Sequence, residues 1–184
     1  MRPLRFFLTA KHWQVFLLLF GAMVAGQITL MTLMFRAEPI RDVTALRAIA
    51  LPFFAVTYAV AVLLLAWLWT LGEYCASRVP VELKPRIVRF RSTLIYPLAY
   101  LPVFGWVFPT LLDNPSVALV IVPLHFLATF CMIYNLYFVA KSLVLAERQK
   151  PVSFSNFALE FFFLWFFPLG IWLVQPRINR LAAK

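Results

Sequence analysis

The side chains best suited to chemistry lie in one apolar stretch, residues 117–140, which contains His125, Cys131 and Asn135. A cysteine nucleophile needs a base within hydrogen-bond reach and a third group that orients the base. On a helix, the spacing of His125 and Cys131 leaves their side chains about 120° apart in direction and about 9 Å apart along the axis. We therefore expect no nucleophile and base pair here. The sequence also contains no recognised catalytic motif such as GxSxG or HExxH.

A second candidate site is a polar patch at the C-terminal end of the same stretch. Its members are Tyr134, Asn135, Tyr137 and Lys141. Because Lys141 supplies a positive charge, such a patch can bind a lipid headgroup or another anionic ligand. The simpler interpretation is an interfacial anchor with an ion pair to Glu73 or Glu160. His125 and Gln27, which lie deeper in apolar runs, complete the set of possible cavity or headgroup contacts.

The elements that must position these residues are apolar helices. Apolar residues make up 64% of the chain and charged residues 13%, a balance that indicates an integral membrane protein. A hydrocarbon layer of about 30 Å is crossed by roughly 20 helical residues. The sequence predicts an all-α, four-helix transmembrane bundle in a single domain, residues 1–184, with spans at residues 13–35, 48–72, 94–112 and 117–140.

A fifth apolar segment, residues 157–175, contains an aromatic run, residues 161–174, that is too short for a full span. This run is interrupted by Pro168 and Gly170. Short, broken segments of this kind are typical of re-entrant or interfacial structure. We predict that this segment enters the membrane and returns, or lies at its surface.

The third predicted span contains Pro97, Pro102 and Pro109. Each proline removes a backbone donor, so we expect a bent or broken helix whose freed carbonyls find partners on neighbouring helices or in a wet cavity. Small residues in the other spans, the pairs Ala22/Gly26 and Ala55/Ala59, favour close helix packing. Gln27 is expected to bond to another helix.

The basic residues predict the orientation. Eleven Lys and Arg residues fall in the N-terminal tail, the connection 73–93 and the connection 141–150, whereas the two opposite connections carry three. The positive-inside bias places the eleven in the cytoplasm, together with both termini. The connection 73–93 is predicted to contact anionic lipid through Arg78, Lys84, Arg86, Arg89 and Arg91. The net charge of +10 is thereby explained by a membrane and not by nucleic acid.

The leading functional hypothesis is a small, non-enzymatic membrane protein that works by helix packing. It would be a subunit, anchor or assembly factor of a complex, or a homo-oligomer, in a bacterial cytoplasmic membrane. One alternative is a channel or transporter of small molecules or lipids with a cavity between spans three and four, near His125 and Asn135. Another is an intramembrane enzyme that acts on a lipid-linked substrate through Cys131 or His125. Two cysteines, Cys75 and Cys131, indicate no disulfide or metal cluster, and we expect no cofactor.

Overall fold

The computed structural model describes residues 4–36 and 43–183. Helices make up 88% of the structure, and the described residues contain no strand. Residues 37–42, in the connection between the first two predicted spans, lie outside the described residues. The chain is thus all-helical, as the sequence predicts.

Nine α-helices account for most of the described residues. In chain order they are α1 (Arg5–Thr9), α2 (His12–Phe16), α3 (Ala22–Arg36), α4 (Val43–Ser77), α5 (Ile87–Val107), α6 (Thr110–Asp113), α7 (Ala118–Arg148), α8 (Ala158–Trp165) and α9 (Phe167–Ala182). A π-helical turn, Leu17–Gly21, joins α2 to α3, so that the three segments form one continuous helix.

Three helical segments are long and apolar enough to cross a membrane: His12–Thr32, Ala50–Ser77 and Pro115–Arg148. They coincide with the predicted first, second and fourth spans. Helix α5, which contains residues 94–107 of the predicted third span, is not among them; Arg89, Arg91 and two prolines reduce its apolar character. The fold is therefore a helical bundle with three candidate membrane-spanning helices.

Helix α5 packs antiparallel to α7. The Tyr96 hydroxyl donates to the Leu124 carbonyl at 3.2 Å, and the Tyr100 hydroxyl lies 3.5 Å from the Ile121 carbonyl oxygen. The helix stays continuous through Pro97 and Pro102 and ends at Val107, before Pro109. The expected break therefore occurs only at the third proline.

The bundle has two unlike ends. The packed end comprises α1, α2, α8, α9 and residues 65–79, 87–94 and 135–148, and it holds most of the buried hydrophobic core. The open end comprises α3 and residues 50–62, 95–108 and 118–130. Large apolar side chains at the open end face outward, with Leu119 79% exposed and Phe35 89% exposed.

The C-terminal segment folds as a helical hairpin within the packed end. Helices α8 and α9 meet at Phe166, and Gly170 packs so closely that a Cβ there would overlap the Phe163 carbonyl. Phe167, at the turn, lines a groove with Leu19 and Leu64. The hairpin therefore reaches from the end of α7 toward the middle of the bundle and turns back.

One residue of the two predicted small-residue pairs, Gly26, makes a close helix contact. A Cβ on Gly26 would overlap Val56, so α3 and α4 approach closely at that point. Ala55 and Ala59 are instead exposed on α4.

Candidate functional site

The most extensive polar cluster in the structure is centred on Gln175, which is fully buried on α9. Trp67 Nε1 of α4 donates to Gln175 Oε1 at 3.0 Å. The Gln175 amide nitrogen lies 2.6 Å from the carbonyl of Phe7 in α1 and 3.1 Å from the carbonyl of Ala10, in the turn between α1 and α2. Asn179 supports the same turn through a 3.0 Å bond from its Nδ2 to the Ala10 carbonyl. One amide thus joins the N-terminal segment, α4 and α9.

A charged cluster lies beside this network. Arg177 Nη1 donates to Glu160 at 2.7 Å, and its Nε donates to Glu147 at 2.8 Å, so one guanidinium joins α9 to α8 and α7. Hydrogen bonding to Glu147 is the main cause that raises the pKa of Arg177 above its usual value. The Tyr74 hydroxyl adds a 2.8 Å bond to the Leu181 carbonyl. These contacts fix the C-terminal helix at the packed end.

The predicted polar patch on α7 is divided by the structure. Asn135 is fully buried and turns toward α5, where its Nδ2 donates to the Thr93 carbonyl at 3.2 Å and its Oδ1 accepts from the Thr93 hydroxyl at 2.8 Å. Pro97 cannot donate to the Thr93 carbonyl, since proline lacks the N–H that normally bonds four residues back. Asn135 therefore supplies the donor that Pro97 removes. A partner on a neighbouring helix is what the sequence predicts for a carbonyl freed by proline.

The rest of that patch stays together. Lys141 Nζ lies 3.5 Å from the Tyr137 hydroxyl and 5.6 Å from the centre of its ring. Tyr134 and Tyr137 are neighbours, with ring centres 6.5 Å apart. Neither suggested carboxylate pairs with Lys141, because Glu160 bonds to Arg177 and Glu73 to Arg91.

His125 lies at a different site, beside a cavity of about 240 Å³ between α4, α5 and α7. Its Nδ1 is 3.3 Å from the Tyr100 hydroxyl, and Thr129 and Met132 line the same cavity. The His125 side chain is exposed. Asn135 and Cys131 do not line this cavity, so the structure does not bring the three residues together.

Gln27 is exposed on α3 and lines a groove of about 310 Å³ between α3 and α4, opposite Thr57. Its neighbours Thr29 and Thr32 bond back to carbonyls of their own helix. Among the residues whose side chains the structure describes, none forms a hydrogen bond with the Gln27 amide. The expected bond to another helix is therefore not found in that part of the chain.

The predicted lipid-contacting basic residues also separate. Arg91 forms a two-pronged pair with Glu73 at 2.5 and 2.9 Å, a hydrogen-bonded arrangement that raises the pKa of Arg91. Lys84, Arg86 and Arg89 are exposed around the start of α5. Arg78 lies apart from them, at the end of α4.

The sequence does not predict the Gln175 cluster, because its members come from opposite ends of the chain. A usable signal was the spacing of Gln175 and Asn179, which places two amides on one helical face directly after an aromatic segment. Both cysteines are free, and the described residues contain no group of three possible metal ligands. The polar groups with defined geometry hold helices to one another.

No protein-family model, curated protein or solved structure matches this chain.

Proposed function

We propose that this protein is a non-enzymatic subunit, anchor or assembly factor of a membrane complex, and that it works by packing its open end against a partner helix. The observation that carries the proposal is Gln27, an exposed amide inside the candidate span His12–Thr32. Lipid covers apolar side chains adequately but offers an amide no hydrogen-bond partner. A polar side chain on a second protein would supply one.

The surroundings of Gln27 support the same proposal. Ile28 and Met31 are each 61% exposed on α3. The groove beside Gln27 is also lined by Thr57, so a helix seated there would find a second polar group. The partner is either another protein or a second copy of this chain.

We further propose four spans and a re-entrant C-terminal hairpin. In support of the fourth span, α5 packs antiparallel to α7 through the Tyr96–Leu124 and Tyr100–Ile121 contacts. In support of re-entry, the Glu160–Arg177 pair joins the start of α8 to the later part of α9 while Phe167 reaches the level of Leu64. The hairpin would then enter and leave on one side.

The proposed location is a bacterial cytoplasmic membrane, with the packed end and both termini facing the cytoplasm. The positive-inside bias supports this orientation, since the basic connections 73–93 and 141–150 both lie at the packed end. Single cysteines at positions 84 and 114, in a chain with Cys75 and Cys131 replaced by Ala, would test it. A membrane-impermeant thiol reagent should label position 114 on intact cells and position 84 only after lysis, and labelling of both on intact cells would overturn the topology.

The partner proposal is tested by photocrosslinking in cells. A photoreactive phenylalanine analogue at Met23, in the Gln27 groove, should give a discrete protein adduct, whereas the same analogue at Trp172 of the packed end should not. Gln27→Leu should weaken the Met23 adduct. Co-expressing two differently tagged copies separates a homo-oligomer from another protein. Equal adducts at both positions, or none at Met23, would reject the proposal.

The two alternatives find less support. A cavity does lie beside His125. Asn135, the other polar group of the transport hypothesis, is already hydrogen-bonded to Thr93. For an intramembrane enzyme, His125 is paired with Tyr100, away from Cys131. Full activity of a Cys131→Ala variant in cells would remove the nucleophile hypothesis.

A further inference from the structure

A cavity of about 600 Å³ lies at the packed end, where the C-terminal ends of α4 and α7 meet α9. Three guanidinium groups line it, Arg78 from the segment after α4 and Arg177 and Arg180 from α9. Glu147 and Gln149, at the C-terminal end of α7, also line it. The cavity thus collects positive charge from two elements that are more than 90 residues apart in sequence.

Four hydrogen-bond acceptors around this cavity are already occupied. Gln149 adopts a left-handed conformation that ends α7, and its side-chain amide donates to the Arg78 carbonyl at 3.0 Å and the Ala146 carbonyl at 2.5 Å. The Leu181 carbonyl accepts from Tyr74, and Glu147 is bound to Arg177. These bonds offset the partial negative charge of the helix C-termini.

The donors are not all occupied. Arg177 is committed to Glu147 and Glu160. Arg78 lies over the Tyr74 ring at 5.3 Å, and Arg180 makes one long contact of 3.4 Å to the carbonyl of its own helix. Within the described ranges, no carboxylate lies within ion-pair distance of Arg78 or Arg180. A ligand of this cavity must therefore bring acceptor oxygens and negative charge.

We propose that this cavity binds a phosphate group, specifically the headgroup phosphate of one anionic phospholipid. Guanidinium groups bind phosphate oxygens in pairs, and two of them are available here. The candidate spans Ala50–Ser77 and Pro115–Arg148 both end at this level, where headgroups lie. The lipid as the source of the phosphate rests on the proposed membrane placement, whereas the charge of the cavity does not.

This site differs from a diffuse basic surface. Arg86 and Arg89 line a separate surface depression at the start of α5, which Arg78 does not border. They provide a matched control, because they are exposed, equally charged and near the same end of the bundle.

The test is native mass spectrometry of the full chain released from nanodiscs that contain phosphatidylglycerol and phosphatidylcholine. The unmodified protein and the R86Q/R89Q variant should each retain one phosphatidylglycerol, whereas the R78Q/R180Q variant should lose it by about tenfold or more. Thermal unfolding of both variants in detergent shows whether each is folded. Equal loss in the two variants, or equal retention of phosphatidylcholine, would overturn the proposal.

A second arm separates the two sources of phosphate. Inorganic phosphate at millimolar concentration is added to delipidated protein in detergent, and its effect on the unfolding temperature is measured. Stabilisation of the unmodified protein but not of R78Q/R180Q, without lipid retention, would keep the phosphate site and reject the lipid. Lipid retention together with failed topology labelling would reject the proposed orientation and leave the site standing.

Discussion

The packed end and the open end use polar residues in opposite ways. At the packed end, the amide of Gln175 and the guanidinium of Arg177 are bonded to several elements of the chain itself. At the open end, Gln27 and His125 lie exposed beside cavities. These two polar groups of the packed end are therefore bonded within the chain, as in a protein core. The open end instead exposes polar groups, as a binding surface does.

Membrane physics explains how one bundle can contain both ends. Lipid tails solvate apolar side chains as well as protein does, so the exposed Leu119 and Phe35 cost little there. Polar groups find no such substitute. Unpaired polar side chains, and not exposed apolar ones, therefore distinguish a functional face from a lipid-facing one.

The largest expected difference comes from removing one amide at each end. Gln175→Leu leaves the Trp67 N–H and the Phe7 carbonyl unpaired in a buried setting, which should cost about 3 kcal/mol or more of unfolding free energy. Gln27→Leu should change the stability of the isolated chain by less than about 0.5 kcal/mol. Unfolding in detergent measures both. Similar losses would remove the distinction between the two ends.

A second comparison tests why Asn135 is buried. Asn135→Leu should cost about 2 kcal/mol, since it strands the Thr93 carbonyl that Pro97 leaves without a donor. In a Pro97→Ala background the helix supplies that donor, so the same substitution should cost about half as much. The double-mutant cycle, read by unfolding in detergent, should therefore show strong coupling between two residues that do not share a helix. Additive losses would contradict this role for Asn135.

The Asn135 pairing also illustrates what sequence can and cannot predict here. The sequence predicts that the carbonyl freed by Pro97 needs a partner, and it places Asn135 within an apolar span. Pairing them requires the register of α5 against α7, which hydropathy does not contain. The Gln175 cluster is harder still, because it joins residues more than 160 positions apart.

Helix ends show a related effect. The predicted fourth span ended at residue 140, where charged residues begin, but α7 continues to Arg148. Leu143 and Val144 are buried there against the hairpin. Hydropathy locates the apolar core of a helix, whereas tertiary packing decides where the helix stops.

Glycine substitutions sharpen the comparison through packing instead of hydrogen bonding. A Cβ at Gly72 would lie 2.5 Å from Phe90, which is buried and stacked on Phe138 at 4.3 Å. Gly72→Ala should therefore cost about 1 to 3 kcal/mol by overpacking. Gly21→Ala, with no heavy atom within 4 Å, should be neutral or stabilising by up to about 1 kcal/mol. Equal changes in unfolding temperature would show that the packed end is looser than described.

The smallest expected effect is a gain in stability. It concerns a buried hydroxyl of the packed end that has no hydrogen-bond partner among the described residues. Ser142 is fully buried, and its hydroxyl has no hydrogen-bond partner among the described residues. Because an unpaired buried hydroxyl is unfavourable, Ser142→Ala should stabilise the protein by about 0.5 to 1 kcal/mol. Ala140→Ser, at another fully buried position of α7, is the matched reverse change and should destabilise it. If Ser142→Ala instead lowered stability by 1 kcal/mol or more, the hydroxyl would have a partner, such as a bound water, and would be a polar contact of the packed end.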